Sequence, residues 1–497
     1  MRSILSLFLA AALALSLTGC GAPPDEPSAS VSADQSQVQV PVDTPFALPL
    51  YPAYSLHPVL ASNRANLTLA PLLYEPLFQV DEQFEAQKVL CKHYAVSEDG
   101  LTWTLTLQPS VTFSDGTPLT GDIVADALNT ARSAGSRYAA RLANILSISG
   151  EGDTVTLILS RPNGRLPLLL DIPIALGEGN TPAGTGPYIL SGTQEDPLLT
   201  ARNDWWQEAA LPAGEILLRP IQRSDDLIFA FSAGDVALVD VDLMGTNALG
   251  YSGNYEAWDY ATTDLIYLGF NTQSGLCRTA AVRRALSTAI HREAIAQTVY
   301  ANHAVPAALP FHPDSSLYDD ASAQALAYAP EELAEQVTQL KLTGRSLRLL
   351  VNSENTAKVS AARIIAYQLE SAGLEVELEQ LSFEDYSAAL AAGDFDLFLG
   401  ETVLTADFDL SPLLSGSLSY GRWSDEETAP LLSALAAAGP DDAPQAAQAL
   451  CAHLTQEVPI AAVCFKNGSA LTQWGRLSGL SPLRSNVFYH LDGWIIE

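Results

Sequence analysis

The stretch from Ser97 to Val124 reads SEDGLTWTLTLQPSVTFSDGTPLTGDIV. Between Leu101 and Leu107 it alternates strictly. Leu101, Trp103, Leu105 and Leu107 fall on one face and Thr102, Thr104 and Thr106 on the other, the pattern of a strand with one face buried. Ser114-Asp115-Gly116-Thr117-Pro118 then predicts a turn. Thr120 is placed to cap a helix carrying Ile123, Ala127 and Leu128, with Asp122 near its positive end. A second alternating segment, Thr154 to Leu159, predicts a returning strand.

Further along, the period changes. Val282, Ala285, Leu286, Ala289 and Ile290 recur at helical spacing and predict one long helix with a single apolar stripe, with Arg283 and Arg284 off it. A strand from Leu347 to Val351 leads to a helix from about Ala357 to Ala372, which Gly373 can end. Leu374, Val376 and Leu378 alternate with Glu375, Glu377 and Glu379 as another strand, followed by a short helix around Tyr386 and the apolar strand Phe395 to Leu399. Strands and helices in alternation predict an α/β layer covered on its faces, repeated in several lobes. No repeat of solenoid length occurs.

The chain has 497 residues, 48% of them hydrophobic, enough for more than one lobe with its own core. Lys and Arg total 25 against 57 for Asp and Glu, a formal net charge of −32. Such a chain repels nucleic-acid backbones and anionic lipid headgroups, so nucleic acid is not an expected partner. The acidity could attract cationic solutes or simply keep the surface soluble.

Arg2 followed by the apolar run Ile4 to Leu17 and small residues predicts an export signal, too short to span a membrane. Its end, Leu17-Thr18-Gly19-Cys20, resembles the bacterial lipobox, which implies removal of residues 1–20 as a lipoprotein signal peptide and lipidation of Cys20. An ordinary signal peptide ending in cysteine is the alternative. Residues 21–44 are expected to form a flexible tether, since scarcely any large apolar side chain is present from Gly21 to Val42 to offset ordering entropy. Cys91, Cys277, Cys451 and Cys464 show no C-x-x-C spacing and read as buried free thiols; Cys451 and Cys464 are the pair closest in sequence, without spacing that establishes a bridge.

Neither G-x-S-x-G, H-E-x-x-H nor a phosphate-binding G-x-x-x-x-G-K-[ST] loop occurs, which argues against an enzyme. Seven histidines without helical H-x-x-x-H spacing support no metal cluster, and no cofactor is expected. Gly184-Thr185-Gly186-Pro187-Tyr188 reads as a tight turn entering a strand, because Pro187 offers no amide hydrogen to an anion. Asp407 and Asp409 could be paired carboxylates, but without an evident acid or base partner ligand binding or ordinary solvation fits them better.

Taken in order, several segments resemble the bacterial extracellular solute-binding proteins of family 5, the peptide and nickel class of ABC-importer receptors. Tyr74-Glu75-Pro76-Leu77 is similar to the family's YEPL. The Ser97 to Val124 segment is similar to its DG-TWTF-LR followed by F-DG-PLTA-DV. GTGPY at Gly184 to Tyr188, RNDWW at Arg202 to Trp206, and FNT at Phe270 to Thr272 with AVRRALSTAIHREAI after it complete the series. The resemblance implies a periplasmic-binding-protein-like type II fold: two α/β lobes joined by hinge strands, with an extra α+β domain inserted in the first. The first lobe would comprise residues 45–80, 182–264 and the C-terminal return 475–497, the inserted domain residues 81–181, and the second lobe residues 265–474.

The family's A-D-Y motif, whose aspartate holds a peptide's α-amino group, has its counterpart in Ala406-Asp407-Phe408; a charge-assisted hydrogen bond in a poorly hydrated cleft supplies the attraction. A capped turn is the structural alternative. Leu404 stands where an aromatic is usual, which alters the pocket, and Thr405 lies beside it. Ala289-Ile290-His291-Arg292 replaces the frequent Ala-Ile-Asp-Arg. Tyr420, Arg422 and Trp423 lie where many members approach the cleft, as an aromatic wall with a carboxylate partner or as ordinary packing. The resemblance implies a monomeric receptor on the outer face of the bacterial cytoplasmic membrane, anchored through Cys20, that captures oligopeptides or dipeptides and delivers them to permease subunits. Nickel chelates, oligosaccharides and opines are alternative ligands, and a signalling or adhesion lipoprotein is an alternative role.

Overall fold

The computed structural model describes residues 46–246 and 250–497, which belong to one compact unit. The expected signal peptide, Cys20 and tether lie outside the described residues. No helix among the described residues is long and apolar enough to cross a membrane.

Strand β1 (Ala47–Leu50) starts a first sheet, and the chain then leaves it for a four-stranded antiparallel sheet. That sheet contains β2 (Cys91–Val96), β3 (Thr102–Leu107), β4 (Ile145–Glu151) and β5 (Thr154–Leu159), in the order β2-β3-β5-β4, with helix α1 (Gly121–Ala131) packed on it. Trp103, Leu105 and Leu107 are buried, facing Val155, Leu157 and Leu159 in one core, as the alternation predicts. The turn after β3 closes through the Thr117 N–H donating to Asp115 Oδ1 at 2.9 Å, and the Phe113 N–H donating to the Thr117 carbonyl at 2.8 Å. Thr120 caps α1, its Oγ1 accepting from the Ile123 N–H at 3.5 Å. The fully buried face of α1 is Val124, Ala125, Leu128 and Ala131, with Ile123 and Ala127 on its flanks. This rotation from the predicted stripe follows from backbone contact: a Cβ on Gly150 would lie 1.9 Å from the Gly121 carbonyl carbon. Only paired glycines let the helix start sit so close to the β4–β5 hairpin.

The chain returns to the first sheet as β6 (Tyr188–Gly192), β7 (Pro197–Ala201) and β8 (Glu215–Pro220), in the order β1-β8-β7-β6, with β1 parallel to β8. The motif segments brace this sheet against the four-stranded domain. Arg202 donates to the carbonyls of Thr112, Phe113 and Gly184, at 3.2, 3.4 and 3.5 Å. Glu75 accepts from the Trp206 and Trp205 indoles and from Gln207, at 2.7, 3.3 and 2.7 Å. Burial pushes the Glu75 carboxyl up to about 7 despite those donors.

The largest sheet is seven-stranded. Its strands are β9 (Leu238–Val241), β10 (Tyr255–Phe270), β11 (Ala304–Pro306), β12 (Ser346–Asn352), β13 (Glu375–Leu381), β14 (Leu397–Val403) and β15 (Ile460–Gln473). They lie in the order β9-β15-β10-β14-β12-β13, with β11 on β15. The long strands β10 and β15 pair antiparallel from Tyr255 opposite Gln473 to Gly269 opposite Ile460, with a register shift between Tyr260 and Asp264. Tyr260 and Ala470 sit in the core of the first sheet, whereas Leu265 and Phe465 sit in a larger core beyond the shift. Two continuous strands therefore join two separately packed bodies.

Within the larger core, β12, β14 and β13 pair in parallel, as βαβ connections require. The predicted long helix is two helices, α2 (Ala280–Thr288) and α3 (Arg292–Thr298). Its stripe is buried throughout, but His291 leaves helical backbone, and its Nδ1 accepts the Ala294 N–H at 3.2 Å, capping α3. The histidine thus fills the capping position of the usual aspartate. Arg283, off the stripe, is nonetheless buried, donating to the carbonyls of Cys277, Glu457 and Val458. The helix predicted near Ala357 to Ala372 spans Thr356–Ser371, and the one near Tyr386 spans Phe383–Ala392. All four described cysteines are buried free thiols.

Candidate functional site

Strand β14 ends at Val403 and delivers a loop into a crevice. The Leu404 N–H donates to the Thr263 carbonyl on β10 at 2.9 Å, and Thr263 Oγ1 donates back to the Leu404 carbonyl at 2.5 Å. Phe408 takes a left-handed backbone, φ +52°, unusual for an aromatic residue. Its ring is wholly buried against Phe84, Phe311 and Phe465, with centroids 5.1, 6.0 and 6.2 Å away, and this packing holds the strained turn. Asp407 is thereby presented in one orientation. It is 6% exposed, with Thr405 Oγ1 on its Oδ1 at 2.5 Å and Asn163 Nδ2 on its Oδ2 at 3.2 Å.

Asn163 belongs to the four-stranded domain, whose loop from Arg161 to Arg165 forms the opposite wall. The Gly164 N–H donates to the Ala436 carbonyl at 2.8 Å, and a Cβ there would lie 2.3 Å from the Ala438 carbonyl, so this contact depends on glycine. Between the walls lies a cavity of about 220 Å³, with Leu404, Thr405 and Asp407 on one side and Asn144, Asn163 and Arg165 on the other. It adjoins a second cavity of about 420 Å³ that shares Arg141 and Val403 and reaches Arg64, Asp240, Asp264 and Arg484.

Arginines crowd this crevice. Arg141 and Arg484 both pair with the buried Asp171, Arg484 at 3.9 Å, and Arg484 also donates to Thr263 Oγ1 at 3.0 Å. Burial pulls the Arg141 guanidinium down to about 10. Beneath them Lys466 Nζ lies 3.0 Å from Asp242, 3.0 Å from Asp264 and 2.6 Å from Glu401, and Lys358 also reaches Glu401 at 3.2 Å. Desolvation raises the Asp264 carboxyl to about 6 against the pull of Lys466. Among the described residues no group of three or more His, Cys, Asp or Glu is placed to hold a metal ion.

The structure brings Leu404, Thr405 and Asp407 together on the cavity wall. Tyr420, Arg422 and Trp423 are elsewhere: Tyr420 packs on Phe398, Arg422 donates to the Ala391 carbonyl, and Trp423 packs on His453, none of them lining the cavity. Of the two alternatives for these residues, their contacts here are those of ordinary packing. Asp409 serves as a cap and cross-wall partner, its Oδ1 accepting the Ser411 N–H at 2.9 Å and its Oδ2 lying 3.4 Å from Arg161. Asn163, Arg165, Arg141, Arg484 and Lys466 were not singled out from sequence. The one local signal was Arg161-Pro-Asn-Gly-Arg165, a turn flanked by two cations in an acidic chain.

The model of the bacterial extracellular solute-binding proteins, family 5 (middle region), matches residues 85–425, more than half of the chain. The chain belongs to that family. The family 5 membership is accompanied by 25% identity over 273 residues to the glutathione-binding protein GsiB of Salmonella paratyphi A, covering 51% of this chain and 53% of the relative. That alignment spans about half the length of the relative. Among solved structures, HbpA2 from Haemophilus parasuis superposes with a TM-score of 0.75 at 19% identity, covering 91% of this chain and 99% of that one. The periplasmic murein tripeptide binding protein MppA, in its unliganded open form, also gives 0.75, at 18% identity over 91% and 97% of the two chains. The fold is thus the type II periplasmic-binding-protein fold of family 5, α/β lobes with an extra domain.

Proposed function

We propose that this chain is the solute receptor of an ABC importer, capturing a short peptide or peptide-like molecule between its lobes without transforming it. Residues 45–80, 182–264 and 475–497 act as one lobe carrying the inserted domain 81–181, and residues 265–474 as the other. Strands β10 and β15 serve as the hinge. Closure around the solute is the event the permease subunits sense. The receptor works as an exported monomer, anchored through Cys20.

The observation that carries this reading is Asp407, a buried carboxylate on a rigid loop facing a crevice between two bodies. A carboxylate so placed gives a ligand ammonium a hydrogen bond that little water competes with. The ligands of the similar proteins GsiB and MppA, glutathione and a murein tripeptide, support a short peptide-like ligand.

Calorimetry with glutathione and with N-acetylglutathione tests it. Asp407→Asn is expected to weaken glutathione by about 1.5–3 kcal/mol, roughly tenfold to a hundredfold, and to leave the weak binding of the acetylated form nearly unchanged. Equal losses for both ligands would refute the amine-holding role.

A further inference from the structure

Several buried guanidinium groups in this protein are rich in acceptors. Arg202 and Arg283 each bind several carbonyls, and Arg292 donates to the Ala462 and Leu326 carbonyls and to Ser287 Oγ, at 2.8, 3.1 and 2.8 Å. Arg141 and Arg484 share Asp171, so Arg141, whose Nε is also buried without a partner, still has a carboxylate on its guanidinium. Arg165 breaks the pattern. It is 7% exposed and lines the Asp407 cavity, yet its Nε is buried without a partner, and its side chain makes no hydrogen bond or ion pair among the described residues.

An arginine stays ionised in proteins, and leaving such a charge buried and unpaired is costly. Burial works against the Arg165 charge, and the fields of Asp407 and Asp409 only partly offset it. Its position is fixed by Asn163, which accepts the Arg165 backbone N–H on Oδ1 at 2.9 Å while donating from Nδ2 to Asp407. A guanidinium without a partner and a carboxylate therefore line one small cavity, linked to each other through Asn163.

We propose that Arg165 receives a carboxylate borne on the same carbon as the ligand's amino group, so that the cavity selects a free α-amino acid head over an ordinary peptide N-terminus. The planar guanidinium binds such a carboxylate through two parallel N–H donors. A standard peptide offers only a neutral amide carbonyl at that place. A γ-glutamyl group offers both charges, because its side-chain carboxyl forms the peptide bond. The inference rests on the amine-holding role of Asp407 and narrows it to a ligand class.

The test is calorimetry of the full protein with glutathione, N-acetylglutathione and the glutathione analogue whose glutamyl α-carboxylate is an α-carboxamide, repeated on Arg165→Gln and Arg165→Lys, with circular dichroism to verify folding. Wild type is expected to bind the carboxamide at least about tenfold more weakly than glutathione. Arg165→Gln should bind the two within about threefold of each other, and Arg165→Lys, which keeps the charge, should retain part of the preference. If wild type binds carboxamide and glutathione alike while acetylation remains costly, the Arg165 role is overturned and that of Asp407 stands. If acetylation costs nothing, the Asp407 reading falls, and this one with it. Absence of binding to all three overturns both.

Discussion

Replacing Lys466 by methionine tests whether the floor of the crevice is held by charge. The ammonium is 3% exposed and contacts Asp242, which follows β9, Asp264 on β10 and Glu401 on β14. Three carboxylates face two ammonium groups there, Lys466 and Lys358, and removing one doubles the excess negative charge. Methionine fills the stem's volume but leaves Asp242 and Asp264 without their cation. Breaking a buried pair in this way costs about 3–5 kcal/mol, and the upper half of that range is expected because two carboxylates are orphaned at once while Glu401 keeps only Lys358. The deficit should depend on pH. The Asp264 carboxyl already lies near 6, above its unfolded value, and loses its main downward pull with the lysine. The native variant then binds a proton that the unfolded chain does not, at a pH above the 6 of the wild type, so its stability is gained as pH falls through that higher value and is complete below about 4. Urea unfolding followed by tryptophan fluorescence should show a large deficit at pH 7.5 and a smaller one at pH 5. Adding Asp264→Asn to the variant should restore about 1 kcal/mol or more. A Lys466→Met protein as stable as wild type at both pH values would refute the electrostatic account.

Two other outcomes follow from the loop and the brace. Phe408→Ala should destabilise the protein by about 3–5 kcal/mol in urea unfolding, through the cavity left among Phe84, Phe311 and Phe465, and should weaken glutathione in calorimetry because Asp407 loses its fixed presentation. Glu75, raised to about 7 chiefly by burial, favours the protonated native state, so its contribution is present below about 4.5 and is lost as pH rises through 7. Glu75→Gln should flatten the stability profile in that window by close to one proton, and an unchanged slope would show that the carboxyl does not titrate there.

Local pattern and covalent neighbours were enough for much of the architecture. The alternation of Thr102 to Leu107, the Thr120 cap and the helix ending before Gly373 depend on backbone periodicity and on hydrogen bonds spanning a few residues, so they are written in contiguous sequence. The motif series reached further. Glu75, Gly184, Arg202 and Trp206 look like separate words in the chain, and their shared purpose, one brace between two sheets, appears only when they meet. The helix after Tyr267 is shorter than its apolar stripe suggests, because Ala289 and Ile290 stay buried after the helix ends at Thr288; periodicity records which residues are buried, not where the backbone bends.

The residue types and their order by themselves determined the family, the lobed α/β fold and Asp407 as the residue to watch. Tertiary structure alone decided the company Asp407 keeps: Asn163 and Arg165 lie more than two hundred positions earlier, Lys466 gathers carboxylates from two strands and the end of a third, and Tyr420, Arg422 and Trp423, close in sequence, do not line the cavity. Burial and long-range pairing set the worth of a charge, and both depend on which distant segments the fold packs together.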